Sequence, residues 1–343
     1  MAVGAWKHVL VRATNWLGDA IMCLPALHAL RGALPEARIT ILGLAWVKEL
    51  YEGESFADDF IDYPKGWKKG AWRKKQALVG ELRSRNFDAA LLFQNAFEAA
   101  AIVRLAGIAE RVGYDRDGRG WLLSEAVPVP ELKGRHERFY YLELLRRAGV
   151  IDGYDTESPI SLGRASKARE AGRARLEGAF VGVSPGAAFG SAKRWYADRF
   201  AEAAVEIAKA RGTGVAVFGS PEESALAAEV ARMIAAEGVR VENFAGRTKL
   251  REFIELAAAM ELMLTNDSGA MHVAYAVGTP SVTVFGSTDH IGTGPVGAKA
   301  RIVREAVECS PCKLRECPID HRCMTKIEAK RVVDVALDLL GTR

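Results

Sequence analysis

The sequence lacks several features that would assign it to a functional class directly. Its 343 residues contain no apolar run approaching the roughly eighteen residues of a transmembrane helix. The segment from Met1 to Lys7 has neither a basic stretch nor an apolar run before Trp6, so it does not resemble a secretory signal. A net charge of only +4 does not by itself indicate nucleic-acid binding. Together these absences predict a cytoplasmic protein.

Two sequence patterns are also missing. No G-x-G-x-x-G follows a predicted strand, which lowers the expectation of an NAD-dependent oxidoreductase. No repeat occurs at the periods of about 20 to 50 residues that are typical of solenoids. The composition, with 49% hydrophobic and 26% charged residues, is that of an ordinary globular protein. The length favours two domains.

Short apolar or β-branched runs alternate with amphipathic segments of helix length, a pattern typical of parallel sheets built from βαβ units. The predicted strands are His8–Arg12, Arg38–Leu42, Phe60–Tyr63, Asp88–Phe93, Arg111–Tyr114, Phe180–Ser184, Val215–Phe218, Met260–Thr265 and Ser281–Phe285. The clearest predicted helices are Asp19–Leu34, Arg135–Ala148, Pro221–Ala236 and Lys326–Leu340. This α/β pattern predicts two Rossmann-like domains.

The periodicity weakens over Ile151–Gly163, which is rich in Asp, Gly, Thr, Ser and Pro and is typical of a connection. The predicted domains are therefore residues 1–160 and 161–325. A final helix within residues 326–343 is a candidate to pack back on the N-terminal domain.

The first predicted strand is followed by a turn and helix that contain Asn15, Trp16, Gly18 and Asp19. In an open parallel sheet, loops at the carboxyl ends of strands surround the ligand crevice. Position alone favours helix capping or compensation of the helix dipole as the role of Asp19. A catalytic role therefore needs further support.

The second domain opens with a strand and a loop that contains Ser184, Gly186, Lys193 and Arg194. Small residues allow the backbone to approach a ligand, and adjacent cations suit a diphosphate. The alternative is a polar loop with two solvated bases. We favour the ligand-binding interpretation because position, glycines and cations coincide.

A later strand leads into a helix through Asp267 and Ser268. These residues can cap the helix, and the N–H groups behind them offer a phosphate site. An ordinary N-cap explains Asp267 equally well. A hydrogen-bonded core histidine is the commoner fate of His272.

Taken together with Phe285–Thr288, these segments resemble the ADP-heptose:lipopolysaccharide heptosyltransferases of glycosyltransferase family 9, with the heptosyltransferase II branch as the most similar. The likeness runs in order from Arg12 to about Met324. It implies a GT-B fold, in which two Rossmann-like domains with parallel sheets face each other across a cleft. The first domain would bind the acceptor and the second the nucleotide sugar.

The resemblance implies inverting transfer of a heptose from ADP-heptose to the lipopolysaccharide inner core, with the second heptose added to the first. It implies that Asp19 is the general base, that Lys193 acts at the diphosphate and donor sugar, and that Asp267 holds donor hydroxyls. No cofactor is expected for this chemistry. Tyr196 departs from the family pattern, which usually has proline after Trp195.

The other predicted binding residues fall into two sets. The donor set is Ser184, Gly186, Arg194, Glu222, Ser268, Gly269, Ala270, Met271 and His272. For Glu222, the alternative is an acidic residue in the first turn of a helix. The acceptor set is Asn15, Trp16, Gly18, Lys65, Lys68, Lys69, Arg73 and Lys74.

The segment Lys65–Lys75 carries six cations and two tryptophans but no acidic residue. This pattern suits a polyanionic glycolipid or an anionic membrane surface, and predicts peripheral contact at the inner face of the cytoplasmic membrane. A solvated loop and helix start is the ordinary alternative. A nucleic-acid site would use similar residues, but we predict no nucleic-acid partner.

Four of the five cysteines lie close together in the sequence, as Cys309, Cys312, Cys317 and Cys323. Four thiolates in one short segment meet the ligand count of structural zinc or an iron–sulfur cluster. Disulfides are less expected in a reducing cytosol. A structural site and free thiols stay equally open, and Cys23 is predicted to lie in the core.

Two other functions remain as alternatives. The chain could be a GT-B enzyme that uses another nucleotide sugar in the synthesis of cell-envelope glycans. It could also be a non-catalytic binding protein with a cysteine-rich interaction module. The combination of Asp19, Lys193 and Asp267 argues against the second alternative, because a binding protein needs no base in its cleft.

Overall fold

The computed structural model describes residues 3–66 and 70–341. The chain divides into two compact units, Met1–Ser158 and Pro159–Arg343. Each unit is built around one six-stranded sheet.

Strands and helices alternate through the first unit. Its strands are β1 (His8–Arg12), β2 (Arg38–Gly43), β3 (Asp59–Asp62), β4 (Ala89–Leu92), β5 (Glu110–Tyr114) and β6 (Glu125–Val127). Its helices are α1 (Leu17–Met22), α2 (Leu24–Ala33), α3 (Ala45–Tyr51), α4 (Ala71–Ser84), α5 (Phe97–Leu105) and α6 (Arg138–Arg147).

The second unit repeats this alternation. Its strands are β7 (Phe180–Ser184), β8 (Gly214–Val217), β9 (Val241–Asn243), β10 (Leu262–Asn266), β11 (Ser281–Phe285) and β12 (Ala300–Arg304). Its helices are α7 (Ala165–Arg173), α8 (Ala197–Arg211), α9 (Ser224–Ala236), α10 (Leu250–Ala259), α11 (Gly269–Ala276), α12 (His290–Thr293), α13 (Arg322–Thr325) and α14 (Ala329–Leu339).

The two sheets have equivalent topology. The first has the order β3-β2-β1-β4-β5-β6 and the second β12-β11-β10-β7-β8-β9. Each β-ladder in the two sheets is parallel. When numbered from the start of each unit, both sheets follow the doubly wound order 3-2-1-4-5-6, whose ligand crevice lies where the strand order reverses. The prediction of two Rossmann-like α/β halves is confirmed.

The central strands form because their residues are apolar on both faces. The residues of β4, β7 and β10 are buried throughout, as a parallel sheet covered by helices on both faces requires. The strands β6, β9 and β12 are not predicted by the sequence pattern. These edge strands contain charged residues and are only partly buried, so their apolar pattern is weak.

The helix predicted over Asp19–Leu34 is two helices. The first ends at Met22, and the second begins at Leu24 with Pro25 in its first turn. Proline has no N–H to continue the hydrogen-bond ladder, and its ring crowds the carbonyl of Ile21 four residues earlier. The chain therefore begins a new helix at this position.

The last helix packs within the second unit. Val332, Val333 and Ala336 of α14 are buried in the same core cluster as Phe200 and Ala204 of α8. This apolar face completes the core of the second unit, and packing of the helix on the first domain stays a prediction.

Candidate functional site

The strand order of the second sheet reverses between β7 and β10, and Asn266 joins the loops that leave these two strands. Its side chain is fully buried. The amide oxygen accepts a hydrogen bond from the Trp195 N–H at 2.9 Å, and the amide nitrogen donates to the Pro185 carbonyl at 2.7 Å. The loop after β7 is therefore held against the end of β10.

This arrangement brings Lys193 to Asp267. The Lys193 ammonium lies 2.6 Å from Asp267 Oδ2, and the Thr288 hydroxyl donates to the same oxygen. Asp267 is only 4% exposed, and a buried carboxylate is stable only when it is paired and hydrogen-bonded. The three side chains form a charged cluster, which we call the Asp267 cluster.

The N-terminus of α11 follows Asp267 directly. Ser268 is the N-cap but makes no side-chain capping bond, and its buried hydroxyl has no hydrogen-bond partner in the described part of the chain. The first N–H groups of a helix have no acceptor within the helix. Such N–H groups, together with the helix dipole, attract anions. Backbone and hydroxyl donors of Ser268, Gly269, Ala270 and Met271 could therefore hold a phosphate.

The other predicted donor residues differ in their surroundings. His272 is buried, and its Nδ1 lies 2.8 Å from the Tyr275 hydroxyl. Ser184 is buried at the end of β7. The half-buried Arg194 donates to the Ala187 carbonyl at 3.2 Å, so its cation turns to the backbone of its own loop.

Gly186 lies against the Glu223 carboxylate. A Cβ at this position would come within 2.1 Å of a Glu223 carboxylate oxygen, so the contact requires glycine. That carboxylate also accepts a hydrogen bond from the Ser220 N–H at 2.9 Å. The side chain of Glu222, the residue predicted to bind the donor, is exposed. The Ser220-x-x-Glu223 capping box was the sequence signal that could have identified Glu223.

The equivalent position in the first sheet carries Asp19. This residue is half-buried in the first turn of α1, with Gly18 before it and the 55% exposed Trp16 at the N-cap. Burial raises the pKa of the nearby Cys23 thiol, and the Asp19 charge raises it further. Cys23 itself is buried, as predicted.

A buried cation supports the loop that leads to Asp19. Arg12 donates to the Asn15 side-chain oxygen at 2.9 Å and lies 4.0 Å above the Tyr63 ring. Burial lowers the pKa of Arg12 to about 10, although Tyr63 opposes this shift. The Asn15 N–H donates to the Gln94 side chain at 3.1 Å. This network fixes the loop, and sequence patterns did not reveal it.

The basic segment is less uniform than its sequence suggested. Lys65, Arg73 and Lys74 are exposed, as is Trp72 at 61%. Lys75, in contrast, is buried and forms an ion pair with Glu98. Lys68 and Lys69, predicted to bind the acceptor, lie outside the described residues.

The four clustered cysteines are free thiols that line one cavity of about 70 Å³ together with His321. Cys309 and Cys312 are exposed, whereas Cys323 is buried. Burial and the three neighbouring thiols raise the pKa of Cys323 to about 11. Within the described ranges, no three His, Cys, Asp or Glu side chains are arranged to hold a metal ion.

No helix in residues 3–66 or 70–341 combines the length and apolar character needed to cross a membrane.

Comparisons with known proteins agree with this architecture. The family model described as glycosyltransferase family 9 (heptosyltransferase) matches residues 76–322. Lipopolysaccharide heptosyltransferase 2 of Escherichia coli K12 is 29% identical over 305 residues, covering 86% of this chain and 87% of that protein. Lipooligosaccharide heptosyltransferase 2 of Haemophilus influenzae is 30% identical over 308 residues, covering 87% and 88%.

Among solved structures, that of Escherichia coli ADP-heptose lps heptosyltransferase II aligns with a TM-score of 0.80 at 26% identity and covers 97% of this chain and 98% of that one. The predicted GT-B fold class is therefore confirmed. Because the family match covers most of its length, the chain belongs to glycosyltransferase family 9, the heptosyltransferases, and is a transferase enzyme.

Proposed function

We propose that this protein transfers a heptose from ADP-heptose to the lipopolysaccharide inner core, adding the second heptose to the first with inversion. The observation that carries the proposal is the Asp267 cluster beside the N-terminus of α11, at the strand-order reversal of a family 9 chain. The similarity to two heptosyltransferase 2 proteins supports the choice of reaction.

The donor is proposed to bind at the second unit. The diphosphate accepts hydrogen bonds from the N–H groups at the start of α11 and from the unpartnered Ser268 hydroxyl. Lys193 stabilises the negative charge that develops on the leaving ADP. Asp267 accepts hydrogen bonds from sugar hydroxyls, because its second oxygen is not used by Lys193 or Thr288 in the bonds described above.

The acceptor is proposed to bind at the first unit, with Asn15, Trp16, Gly18 and the exposed basic residues. Asp19 takes the proton from the acceptor hydroxyl while the oxygen of that hydroxyl attacks the anomeric carbon of the donor heptose. The bond between that carbon and the β-phosphate oxygen breaks, and ADP leaves with the electron pair. A carboxylate, a cation and helix N–H groups supply this chemistry, so no cofactor takes part.

The test is an assay of ADP release with ADP-heptose and defined acceptors, set beside release of UDP or GDP from the corresponding sugars. We expect turnover with ADP-heptose and an acceptor that carries one heptose, and little with the heptose-free acceptor. Preferential turnover of a UDP- or GDP-sugar would refute the donor assignment. Preference for the heptose-free acceptor would instead assign the enzyme to the first heptose.

We further propose a cytoplasmic enzyme that contacts the anionic inner face of the membrane through Lys65, Arg73, Lys74 and Trp72. Each basic residue near such a surface contributes about 1 kcal/mol, so replacing the three cations by glutamine should weaken binding to vesicles with anionic lipids roughly a hundredfold. Lys75 stays unchanged in this variant because it pairs with Glu98.

The matched control replaces three exposed cations of the second unit, Lys209, Lys299 and Arg301. Equal losses in the two variants would show that only total charge matters, and would refute a specific membrane-facing surface. Salt-resistant binding of the glutamine variant would refute it as well.

For the cysteines, we propose that Cys309, Cys312, Cys317 and Cys323 bind a structural zinc ion or an iron–sulfur cluster, although the described side chains are not arranged as metal ligands in this structure. The support is that all four free thiols line one cavity. Elemental analysis of the purified protein should find bound zinc or iron, which is lost on Cys309→Ser with Cys312→Ser. Protein free of both metals would refute this assignment.

A further inference from the structure

The segment Cys309–Cys323, which we call the cysteine loop, touches both loops that supply partners to Asp267. Lys193 lies on the loop after β7, and Thr288 on the loop after β11. The hydrogen bonds between the cysteine loop and these two loops are made mainly by backbone atoms. These bonds hold the backbone on both sides of the Asp267 cluster.

The first set of contacts holds the turn that contains Lys193. The Ala192 N–H donates to the Arg315 carbonyl at 3.0 Å, and the Ala192 carbonyl lies 3.0 Å from His321 Nε2. Both polar groups of the residue before Lys193 are thus bonded to the cysteine loop. The fit leaves no space for a side chain at Gly190, where a Cβ would come within 2.2 Å of the Arg315 carbonyl oxygen.

A carbonyl only accepts hydrogen bonds, so His321 Nε2 carries the proton in this contact. In the neutral ring Nδ1 is then an acceptor, and it lies 3.3 Å from the Tyr196 hydroxyl. Tyr196 is the residue that departs from the family pattern. The Ala192 carbonyl therefore selects the His321 tautomer, and the Tyr196 hydroxyl, which can donate to Nδ1, is compatible with it.

The aromatic ring of Phe189 adds a contact of another kind. The Lys193 ammonium lies 5.0 Å from the ring centroid, and the Arg315 guanidinium lies 5.2 Å from it. Cations at this distance are attracted to an aromatic ring. Phe189 therefore links Arg315 of the cysteine loop to the Lys193 side chain itself.

The second set of contacts holds the loop that contains Thr288. The Ser310 hydroxyl donates to the Gly286 carbonyl at 2.6 Å, and the Lys313 N–H donates to the Ser287 carbonyl at 2.7 Å. Thr288 is the next residue, and its hydroxyl bonds to Asp267. One segment thus supports both side chains that meet at the Asp267 carboxylate.

We propose that the cysteine loop is a positioning element for the Asp267 cluster, and that His321 is the positioning residue that sets Lys193 for donor binding. This inference rests on the donor-binding role of Lys193 in the proposed function. It assigns no contact between His321 and the substrate. His321 acts through the Ala192–Lys193 peptide.

The test measures the Kd for ADP-heptose by calorimetry and the steady-state KM and kcat. His321→Ala should raise the Kd and KM roughly 3- to 10-fold, as loss of one hydrogen bond predicts, while kcat changes less. His321→Gln keeps an N–H donor at the same reach and should restore much of the affinity. Glu316→Gln, an exposed change in the same loop, is the control and should leave the Kd unchanged.

A double-mutant cycle separates positioning from a general effect on structure. In a Lys193→Met background, His321→Ala should no longer weaken donor binding, because the side chain through which it acts is absent. An equal loss in both backgrounds would overturn the inference. Gly190→Ala is an independent variant, because its methyl group would push the Arg315 carbonyl of the cysteine loop away from the loop that carries Lys193. It should weaken ADP-heptose binding when Lys193 is present and have no effect in the Lys193→Met background.

The failures of the two proposals are distinguishable. If Lys193→Met leaves ADP-heptose binding unchanged, the donor site itself is wrongly assigned and the inference falls with it. If Lys193→Met weakens binding but His321→Ala and Gly190→Ala do not, the donor site stands and only the positioning role is refuted.

Discussion

The two sheets share one strand order, but the carboxylates at their reversal points have different surroundings. In the first unit the loop leads to Asp19, a half-buried carboxylate on a helix of six residues. In the second unit the carboxylate of Asp267 is already paired with Lys193 and Thr288, and a helix N-terminus adds unpaired N–H groups. A doubly wound sheet therefore determines where a site forms, while a few loop residues determine whether its carboxylate is half-buried, as at Asp19, or buried and paired with a cation, as at Asp267.

The networks behind the two loops differ in the same way. In the first unit a buried cation, Arg12, holds Asn15. In the second unit a buried neutral amide, Asn266, holds the backbone of the loop after β7 at Pro185 and Trp195. The contrast predicts different consequences when corresponding residues are changed.

The largest effect should come from Asp19→Asn. Loss of a general base lowers kcat by roughly 10²- to 10⁴-fold, whereas ADP-heptose binding should stay nearly intact because the donor is assigned to the second unit. Steady-state kinetics and calorimetry measure the two quantities. Asp198→Asn, an exposed first-turn acid of α8, is the control. Substantial turnover by Asp19→Asn would mean that the two reversal points do not divide the chemistry as proposed.

The second-largest effect should be a difference between Asn266 and Asn15 in how much each side chain contributes to the free energy of unfolding. Asn266→Ala leaves the Trp195 N–H and the Pro185 carbonyl without their buried partner and should lower the free energy of unfolding by about 2–4 kcal/mol. Asn15→Ala, at a half-buried position, should cost about 1 kcal/mol. Urea unfolding measures both, and hydrogen exchange of the Trp195 amide reports the local effect. Equal costs would show that the two loops are supported to the same degree.

Lys193→Met should weaken ADP-heptose binding roughly 10- to 100-fold, the value of a charge-assisted hydrogen bond. The Lys193→Met variant also leaves the Asp267 carboxylate without its cation, which could destabilise the fold. The double variant Lys193→Met/Asp267→Asn removes that buried charge and shows whether destabilisation contributes to the loss of affinity. Lys209→Met removes a surface cation of the same unit and should have no effect on binding. If the Lys193→Met variant bound ADP-heptose with unchanged affinity, Lys193 would have no role in donor binding.

The smallest expected effect is on stability and comes from a difference between α6 and α14, the last helices of the two units. Hydrogen bonds from Arg146, and then from Tyr154 and Arg147, lower the pKa of Glu143 in α6 to about 2 from its usual 4.5. A lowered pKa stabilises the fold above about pH 4.5, and this stabilisation is lost as the pH falls toward 2. The apolar face of α14 has no such dependence.

Glu143→Gln should therefore lower the free energy of unfolding by about 1 kcal/mol at neutral pH, a value reduced because its arginine partners are partly exposed. The difference from the unchanged protein should shrink toward zero near pH 2, and urea titrations over this range measure it. A difference that is independent of pH would show that Glu143 contributes by packing and not by charge.

The sequence predicted the interior of the fold better than its edges. The bounds of β1, β7 and β11 were predicted correctly, because each is a short run rich in β-branched or apolar residues. The edge strand β9 contains Glu242 and Asn243 and is defined by pairing with β8, which no local pattern contains. Edge strands depend on a neighbour that is remote in sequence, so periodicity alone did not reveal them.

The candidate site shows the same limit. Loop position and residue type pointed to Lys193 and Arg194 alike, yet one cation pairs with Asp267 and the other with the Ala187 carbonyl. Similarly, Glu222 was named where its neighbour Glu223 lies against Gly186. Adjacent residues point in different directions, and only the packed backbone decides which one faces a ligand.

The sequence by itself determined the alternation of strands and helices, the two Rossmann-like halves and the membership of family 9, because these depend on local periodicity and on short motifs in a set order. Only the tertiary structure decided that Lys75 is a buried ion-pair partner and that the cysteine loop bonds to Ala192 and Ser287, the neighbours of Lys193 and Thr288. Such contacts join residues far apart in the chain. They are selected by packing and by the need to pair buried polar groups, for which no local pattern exists.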